Sequence, residues 1–293
     1  MKRITTILAP LLIFALLAGC TGPGEADDLP AEGQDLSSAG RTEEPLVSRR
    51  FRIVDGAGSG SLLLAGLDDG GADDVLYLGT DSDTLEIYLD GAEADASALE
   101  DGMAITVTWD GLILETYPGQ IAGNARVEAW SLGSEQNPGG GYYDLCGLYL
   151  QVLNDLWEKD SALNEGKGVI ALDLTQAPGG LTDSEKAALA WRFGELHGVQ
   201  VLQSTWEQLA EEGALTEQTL GDGNAVYSWE DGCLFSITAH ETEETEAYSL
   251  PVLRFDAEKY VGPLAAYWFG DCTAVWPELG TWTEYAVGAE MIS

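Results

Sequence analysis

Short runs in which every second residue is apolar dominate the first half of the chain and constrain its fold most strongly. Apolar side chains alternate with Glu, Tyr or Thr over residues 85–89 and again over residues 104–109. A period of two predicts strands with one buried and one solvated face. Similar short runs, bounded by Gly and Asp, predict further strands at 61–67, 75–79, 112–117 and 125–130. This density of short strands predicts a small all-β domain over residues 49–133, with an OB-like barrel fold.

Two Asp–Gly dipeptides, Asp90–Gly91 and Asp110–Gly111, supply turn chemistry between these runs. Asp–Gly favours the tight turns that join antiparallel strands because its backbone reaches positive φ easily. The second dipeptide is therefore expected to form a hairpin between the runs 104–109 and 112–117.

The second half of the chain, residues 141–293, mixes helix and strand signals. The three glycines at 139–141 mark its start. Apolar residues at helical spacing predict a helix that begins near Tyr142 and contains Cys146. Strands are predicted at 169–174 and 199–202 from their apolar runs.

Two capping boxes predict where further helices begin. Thr182 with Glu185 opens one helix, and Gly198 ends it. Ser204 with Glu207 is expected to open a second, shorter helix.

The last part of the chain predicts strands alone, as an antiparallel meander over 233–239, 250–255, 264–276 and 282–292. In the final run Tyr285, Val287, Ala289 and Met291 share one face, which is expected to be the core face. The whole chain is thus expected to be α+β: a small all-β domain followed by an α+β domain with a C-terminal antiparallel sheet and helices packed on one side.

The N-terminus has the features of an export signal. Lys2 and Arg3 precede an apolar run, residues 4–17, that is too short to span a bilayer. Small residues and then Cys20 follow this run. The arrangement resembles the lipobox of bacterial lipoproteins, and this resemblance implies transfer of a diacylglyceryl group to the Cys20 thiol and removal of residues 1–19. The alternative is a plain signal peptide with an incidental cysteine.

A lipidated Cys20 implies a protein held at the cell membrane and facing away from the cytoplasm, because two acyl chains, such as palmitate, anchor a protein stably. Residues 20–48 are rich in Gly, Pro, Ser, Asp and Glu and predict a disordered tether. The membrane is then a partner through the anchor alone.

The charge of the chain limits its partners further. The sequence holds 50 acidic and 13 basic residues, for a net charge of −37. Such a surface repels polyanions, so nucleic acid and anionic lipid surfaces are not expected partners. Acidic loops at 68–74 and 81–86 leave a weak calcium site open, although the full calcium-loop pattern is missing. Beyond the covalent diacylglycerol at Cys20, no cofactor is expected.

Three cysteines follow Cys20, which rules out a complete set of disulfides among them. Cys146 is expected to be a small buried residue of its helix. Cys233 and Cys272 both fall on predicted strands of one sheet, and a disulfide between them is left open.

Two stretches resemble known proteins. Residues 101–121 resemble a small β-barrel domain of unknown function in secreted lipoproteins of Firmicutes, and residues 255–260 with 289–293 are similar to uncharacterised lipoproteins of clostridial bacteria. The resemblance implies a fold, a localisation and a domain order, and it implies no catalytic residue.

No catalytic motif is recognisable in the sequence. The two histidines, His197 and His240, are expected to be a helix-end residue and a solvated strand residue, respectively. Asp173 stands where a strand ends before a capped helix, a position that suits a catalytic acid in α/β folds. Trp268, Trp276 and Trp282 are expected to pack in the core.

The leading functional hypothesis is a non-catalytic surface lipoprotein that binds an envelope protein, a small molecule or a glycan. One alternative is an exported enzyme that cleaves glycans with carboxylates, whose catalytic pair would converge only in space. The other is a solute-binding lipoprotein.

Overall fold

The computed structural model describes residues 45–68, 70–132, 134, 144–219, 224–240, 252–276 and 282–293. The predicted signal peptide, Cys20, the tether up to residue 44 and the boundary glycines 139–141 lie outside the described residues. Residues 44–293 form one compact unit. Among the helices of the described residues, none combines the length and apolar character that crossing a membrane requires.

The described residues contain eighteen strands, three α-helices and two short 3-10 turns, at Ala96–Ala98 and Ser161–Leu163. The helices are α1 (Leu145–Glu158), α2 (Asp183–His197) and α3 (Trp206–Glu211). The strands are β1 (Val47–Asp55), β2 (Ser61–Gly66), β3 (Val75–Gly79), β4 (Leu85–Leu89), β5 (Ala92–Glu93), β6 (Ala104–Trp109), β7 (Ile113–Leu114), β8 (Gly119–Ile121), β9 (Ala125–Ala129), β10 (Val169–Asp173), β11 (Gln200–Gln203), β12 (Thr216–Thr219), β13 (Ala225–Ser228), β14 (Gly232–Ala239), β15 (Val252–Gly262), β16 (Ala265–Val275), β17 (Tyr285–Ala286) and β18 (Ala289–Ile292).

The first nine strands form one sheet in the order β5-β4-β9-β6-β1-β2-β3-β8-β7. Its central strand, β1, begins at Val47, inside the segment predicted to be a tether. Three arginines interrupt the apolar pattern of this strand, so it was not predicted. From Phe51 to Val54 the strand is buried on both faces. Phe51 and Ile53 belong to the core of the first sheet, whereas Val54 packs in the core that contains the helices.

The expected α+β class is confirmed, and the first region is all β, but its sheet is open and does not close into an OB-like barrel. The edge strands β5 and β7 have only two residues each, and no pairing joins them in the described residues. A barrel needs hydrogen bonds between its first and last strands, and such short edges offer few.

The tight hairpin forms at the other Asp–Gly dipeptide. Asp90 (φ 50°) and Gly91 (φ 80°) join β4 to β5, with Leu89 opposite Ala92. Two central residues with positive φ are the signature of a two-residue type I′ turn. The hairpin predicted at Asp110–Gly111 does not form: β6, before the dipeptide, pairs with β1 and β9, and β7, after it, pairs with β8.

The helix caps agree closely with the sequence in α2 and differ by one residue in α3. Thr182 and Glu185 form the predicted capping box, and Gly198 ends α2 with a φ of 64°. In α3 the box is formed by Thr205 and Gln208, whose side chains bond each other's backbone N–H groups. Because the Thr205 hydroxyl takes the cap, α3 begins one residue later than predicted.

The second sheet is mixed, in the order β11-β10-β14-β15-β16-β17, with β18 also paired to β16. Strands β11, β10 and β14 run parallel, and the antiparallel meander predicted from the sequence follows from β14 onward. One core holds α1, α2, one face of this sheet and residues of β1 to β3, so the two long helices lie between the two sheets.

The three described cysteines are buried free thiols. Cys146 is 1 % exposed on α1, as expected. Cys233 lies on β14 and Cys272 on β16, with β15 between them. Two strand spacings, about 9.5 Å, exceed the Cα separation that a disulfide spans. The disulfide that the sequence left open is therefore not formed in this structure.

Candidate functional site

The face of the second sheet that points away from α1 and α2 is covered only in part. Next to β10 and β14, the short helix α3 closes a small core in which Leu209 packs with Ala171, Trp229 and Leu234. Beyond that core, over β14, β15, β16 and β18, the same face carries polar side chains, and none of the described residues covers it.

A cleft of about 470 Å³ lies on this open face. Its volume is in the range that holds small organic ligands. We call it the open-face cleft. It is lined by Ser236, Thr238, His240, Asp256, Glu258, Trp268, Gly270, Asp271, Ala289 and Met291.

His240, just after β14, is fixed in the cleft by Asp256 of β15. The Nδ1 atom of the ring lies 2.9 Å from both carboxylate oxygens of Asp256. An ionised carboxylate only accepts hydrogen bonds, so Nδ1–H is the donor and Nε2 is left for another partner. The sequence predicted a solvated His240. In the structure its side chain keeps 30 % of its exposure, and Asp256 sets the orientation of its ring.

Asp271 is placed in the cleft by an irregularity in β16. The register between β15 and β16 shifts between Phe255 and Ala257, and Asp271 has a φ of 50°. Its backbone N–H donates to Asp256 Oδ1 over 2.7 Å, and its own carboxylate accepts from Arg254 Nη1 over 3.0 Å. A bulge of this kind turns a side chain away from the regular alternation, and such features occur often at functional sites.

Glu258 and Trp268 form the other end of the cleft. They are direct partners in the register of β15 and β16, and Ser236 of β14 stands opposite Glu258 on the other side. Burial raises the pKa of the Glu258 carboxyl above its ordinary value. In contrast to the side chains of Asp256 and Asp271, the Glu258 carboxylate makes no hydrogen bond or ion pair with any residue in the described parts of the chain.

Trp268 and the exposed strand β18 make an apolar wall. Trp268 Nε1–H donates to Met291 Sδ over 3.0 Å, and the two residues are register partners. Gly270 stands opposite Ala289, where a side chain would press on the methyl group of Met291. Two small residues therefore keep the floor of the cleft open.

The arrangement combines an oriented histidine with carboxylates on a rigid sheet, but it does not form a nucleophilic triad. Triad chemistry needs a hydroxyl or thiol bonded to the free imidazole nitrogen. Within the described residues, the polar partners of His240 are Asp256 and Asp271, whose Oδ1 lies 3.8 Å from Nε2. The site presents oriented polar groups, and His240 Nε2 is available as a hydrogen-bonding atom.

The other candidates from the sequence lie elsewhere. His197 ends α2, as predicted, with Nε2 2.8 Å from Asn154 Oδ1 and its ring stacked on Trp157. Burial lowers the pKa of His197. Asp173 ends β10, where its Oδ1 accepts from the backbone and hydroxyl of Thr175, beside a separate cleft of about 160 Å³. Both side chains serve local structure.

The acidic loop at 68–74 is engaged with β1. Asp68 bonds Arg50 and Asp74 bonds Arg49. The Arg50 hydrogen bond lowers the pKa of Asp68, whereas burial raises that of Asp74. Across the described ranges, no three His, Cys, Asp or Glu side chains converge where they could hold a metal ion.

A second cleft, of about 380 Å³, lies beside α2 and the edge strand β11. Its aromatic wall is Tyr117 packed edge-on against Trp191. Its carboxylate, Glu195, already accepts from the Tyr77 hydroxyl over 3.0 Å and pairs with Arg192. With its charged group engaged, this cleft offers less chemistry than the open-face cleft.

Sequence reasoning missed the carboxylates of the cleft because it ended the strand at Phe255. The signal was present: charged residues at 254, 256 and 258 alternate with buried Leu253, Phe255 and Ala257 along β15.

The core face predicted for residues 282–292 is confirmed only for its first two residues. Tyr285 and Val287 pack against the helix-containing core, whereas Ala289 and Met291 line the cleft. Likewise Trp276 and Trp282 pack in the core or against it, as expected, and Trp268 lines the cleft.

Comparison of the chain with protein-family models, with curated proteins and with solved structures finds no match in any of the three.

Proposed function

We propose that this protein is a lipid-anchored bacterial lipoprotein that faces away from the cytoplasm and binds a small ligand in the open-face cleft. The anchor rests on the sequence around Cys20, where a basic start, a short apolar run and small residues precede the cysteine. The binding role rests on a single structural observation: a cleft with oriented polar groups lies on the face of the second sheet that the described residues leave open.

Binding accounts for the cleft better than turnover does. Its polar groups hold one another in place. Asp256 bonds both His240 and the backbone N–H of Asp271, and the Asp271 carboxylate accepts a hydrogen bond from Arg254. Groups fixed in this way are preorganised for recognition. No nucleophile of the described residues is bonded to His240 Nε2, so an acyl-transfer reaction has no obvious attacking group.

One observation favours the second candidate, a carboxylate-dependent enzyme acting on glycans. Asp256 and Glu258 are two residues apart on one face of β15, and their environments differ: donors surround Asp256, whereas burial raises the pKa of Glu258. A proton-donating and an ionised carboxyl are the pair that glycoside cleavage uses. Release of sugar from a panel of glycans, abolished by Asp256→Asn, would establish this candidate in place of the first.

The anchor is tested with the full chain expressed in a bacterium that processes lipoproteins and fed radiolabelled palmitate. We expect label on the wild-type chain and none on Cys20→Ser. We also expect protease added outside the cytoplasmic membrane to digest the wild-type chain. An unlabelled wild-type chain, or equal labelling of Cys20→Ser, would contradict the anchor.

The binding role is tested by thermal-shift screening of the chain from residue 21 onward against a panel of metabolites and glycan fragments. We expect at least one compound to raise the melting temperature of the wild-type chain and to have no effect on Trp268→Ala. Trp229→Phe, which changes a tryptophan in the small core under α3, is the matched control and should keep the response. A panel without any response, or a response that Trp268→Ala retains, counts against the cleft.

A further inference from the structure

The charges inside the open-face cleft do not balance. Three carboxylates, those of Asp256, Glu258 and Asp271, line it. Asp256 is held by His240, and Asp271 by Arg254. The Glu258 carboxylate is left without a cationic or hydrogen-bonding partner in the described parts of the chain, although burial disfavours its charged form. A half-buried carboxylate of this kind gains stability from any cation that reaches it.

The surroundings of Glu258 select the kind of cation. Its register partner is Trp268, and Met291 continues the apolar wall. Indole attracts organic cations through its π face, and a thioether adds polarisable surface. A strongly hydrated metal ion gains little from such a wall, and it lacks a set of three ligands within the described residues. An ammonium group on an organic body fits both the carboxylate and the wall.

The negative charge of the whole protein also favours a cationic ligand. With a net charge of −37, the chain repels anions and raises the local concentration of cations. The volume of about 470 Å³ accommodates a ligand of monosaccharide or short diamine size.

We propose that the open-face cleft binds an organic ammonium ligand, with its amine at the Glu258 carboxylate and its body against Trp268 and Met291. His240 Nε2 and the hydroxyls of Ser236 and Thr238 lie along the same cleft and are available to hydroxyl or carbonyl groups of the ligand. This inference rests on the proposed binding function and names its ligand class.

The test uses probes in matched pairs, titrated by calorimetry into the chain from residue 21 onward. Glucosamine is compared with N-acetylglucosamine, which has the same ring but an uncharged amide, and 1,4-diaminobutane is compared with 1,4-butanediol. We expect the wild-type chain to bind the amine of at least one pair about tenfold or more tightly than its neutral counterpart, because a hydrogen bond to a charged group depends on both charges.

The variants separate the site from the general field. Glu258→Gln keeps the shape of the side chain and removes the charge, and should weaken amine binding about tenfold or more. Trp268→Leu should weaken it several-fold. Glu93→Gln removes one charge from the exposed strand β5 of the other sheet and is the matched control, which should leave binding unchanged.

Three results would overturn the inference: neutral and charged members of each pair binding alike, equal losses in Glu258→Gln and Glu93→Gln, or no binding of any amine at low ionic strength. If Glu258→Gln failed to fold, Trp268→Leu against Glu93→Gln, together with the wild-type comparison within each pair, would still decide the question. The proposed function survives these results if the thermal-shift screen finds a neutral ligand whose effect depends on Trp268, so the two failures are distinguishable.

Discussion

Asp144 occupies the N-cap of α1, where its Oδ1 accepts from the backbone N–H of Gly147 over 3.0 Å. Burial of the carboxylate is the main cause that raises its pKa to about 6, and the charge of Asp101 adds to the shift. Gly102 approaches Asp144 so closely that a side chain at position 102 would collide with its backbone. The cap is therefore formed in a crowded, poorly solvated place.

This pKa predicts how stability changes with pH. The folded value lies above the value of 3.8 for an unperturbed carboxyl, so the folded protein keeps the proton longer than the unfolded chain does. The contribution of Asp144 to the free energy of unfolding is thus fully present below about pH 4 and is lost as pH rises through about 6. Asp144→Asn keeps the cap acceptor, and relative to wild type it should gain up to about 3 kcal/mol between pH 4 and pH 7.

Urea unfolding of both proteins at pH 4 and pH 7 measures this difference. Asp144→Ala, which removes the cap acceptor, should cost about 0.5–2 kcal/mol at pH 4, where the charge no longer matters. A difference between Asp144→Asn and wild type that does not change with pH would show that the carboxylate is not perturbed by folding.

At the scale of elements, α2 connects the first sheet to the second. Arg52 of β1 donates from Nε to Glu185 Oε1 over 3.1 Å and from Nη1 to the Gly102 carbonyl over 3.0 Å. Both side chains of the pair are 6 % exposed. Glu185 also completes the capping box of α2, so one carboxylate holds the start of the helix and its contact with β1.

Breaking this pair should destabilise the protein strongly. Arg52→Ala leaves a buried carboxylate without its partner, and we expect a loss of about 3–5 kcal/mol in the free energy of unfolding. Arg50→Ala is the matched control on the same strand: its partner, Asp68, is 41 % exposed, and the loss should stay below about 1 kcal/mol. Denaturant unfolding of both variants decides the matter, and equal losses would contradict the role assigned to Arg52.

At the scale of the whole molecule, a net charge of −37 implies self-repulsion in the folded state. Raising NaCl from about 0.02 M to about 0.5 M shortens the screening length from about 20 Å to about 4 Å. We expect the melting temperature to rise, by about 2–4 °C for each kcal/mol of repulsion relieved in a unit of this size. Calorimetric melting at several salt concentrations measures the rise.

Calcium chloride at matched ionic strength is the informative comparison for the salt experiment. Screening alone predicts the same rise with either salt. A larger rise with calcium would indicate that the protein binds calcium at a specific site. A melting temperature that does not change with salt concentration would contradict the proposed self-repulsion.

Local signals in the sequence determined the elements of this protein. The alternation of apolar and polar residues predicted both ends of β4 and β6, and the Thr182 capping box with Gly198 predicted both ends of α2. Each of these signals acts within a few residues. The α+β class followed from the order of these elements. Strand β1 was not predicted, because its arginines pair with carboxylates far along the chain, those of Asp68, Asp74 and Glu185.

The tertiary structure alone decided which strands meet and what the open face carries. An open sheet or a closed barrel depends on whether distant edges pair, and Cys233 and Cys272 are separated by a strand that only the topology places between them. The open-face cleft likewise joins His240 after β14, Asp256 of β15 and Met291 of β18. Hydrogen bonds between strands act across long sequence separations, so the residues they unite cannot be recognised from their neighbours in the chain.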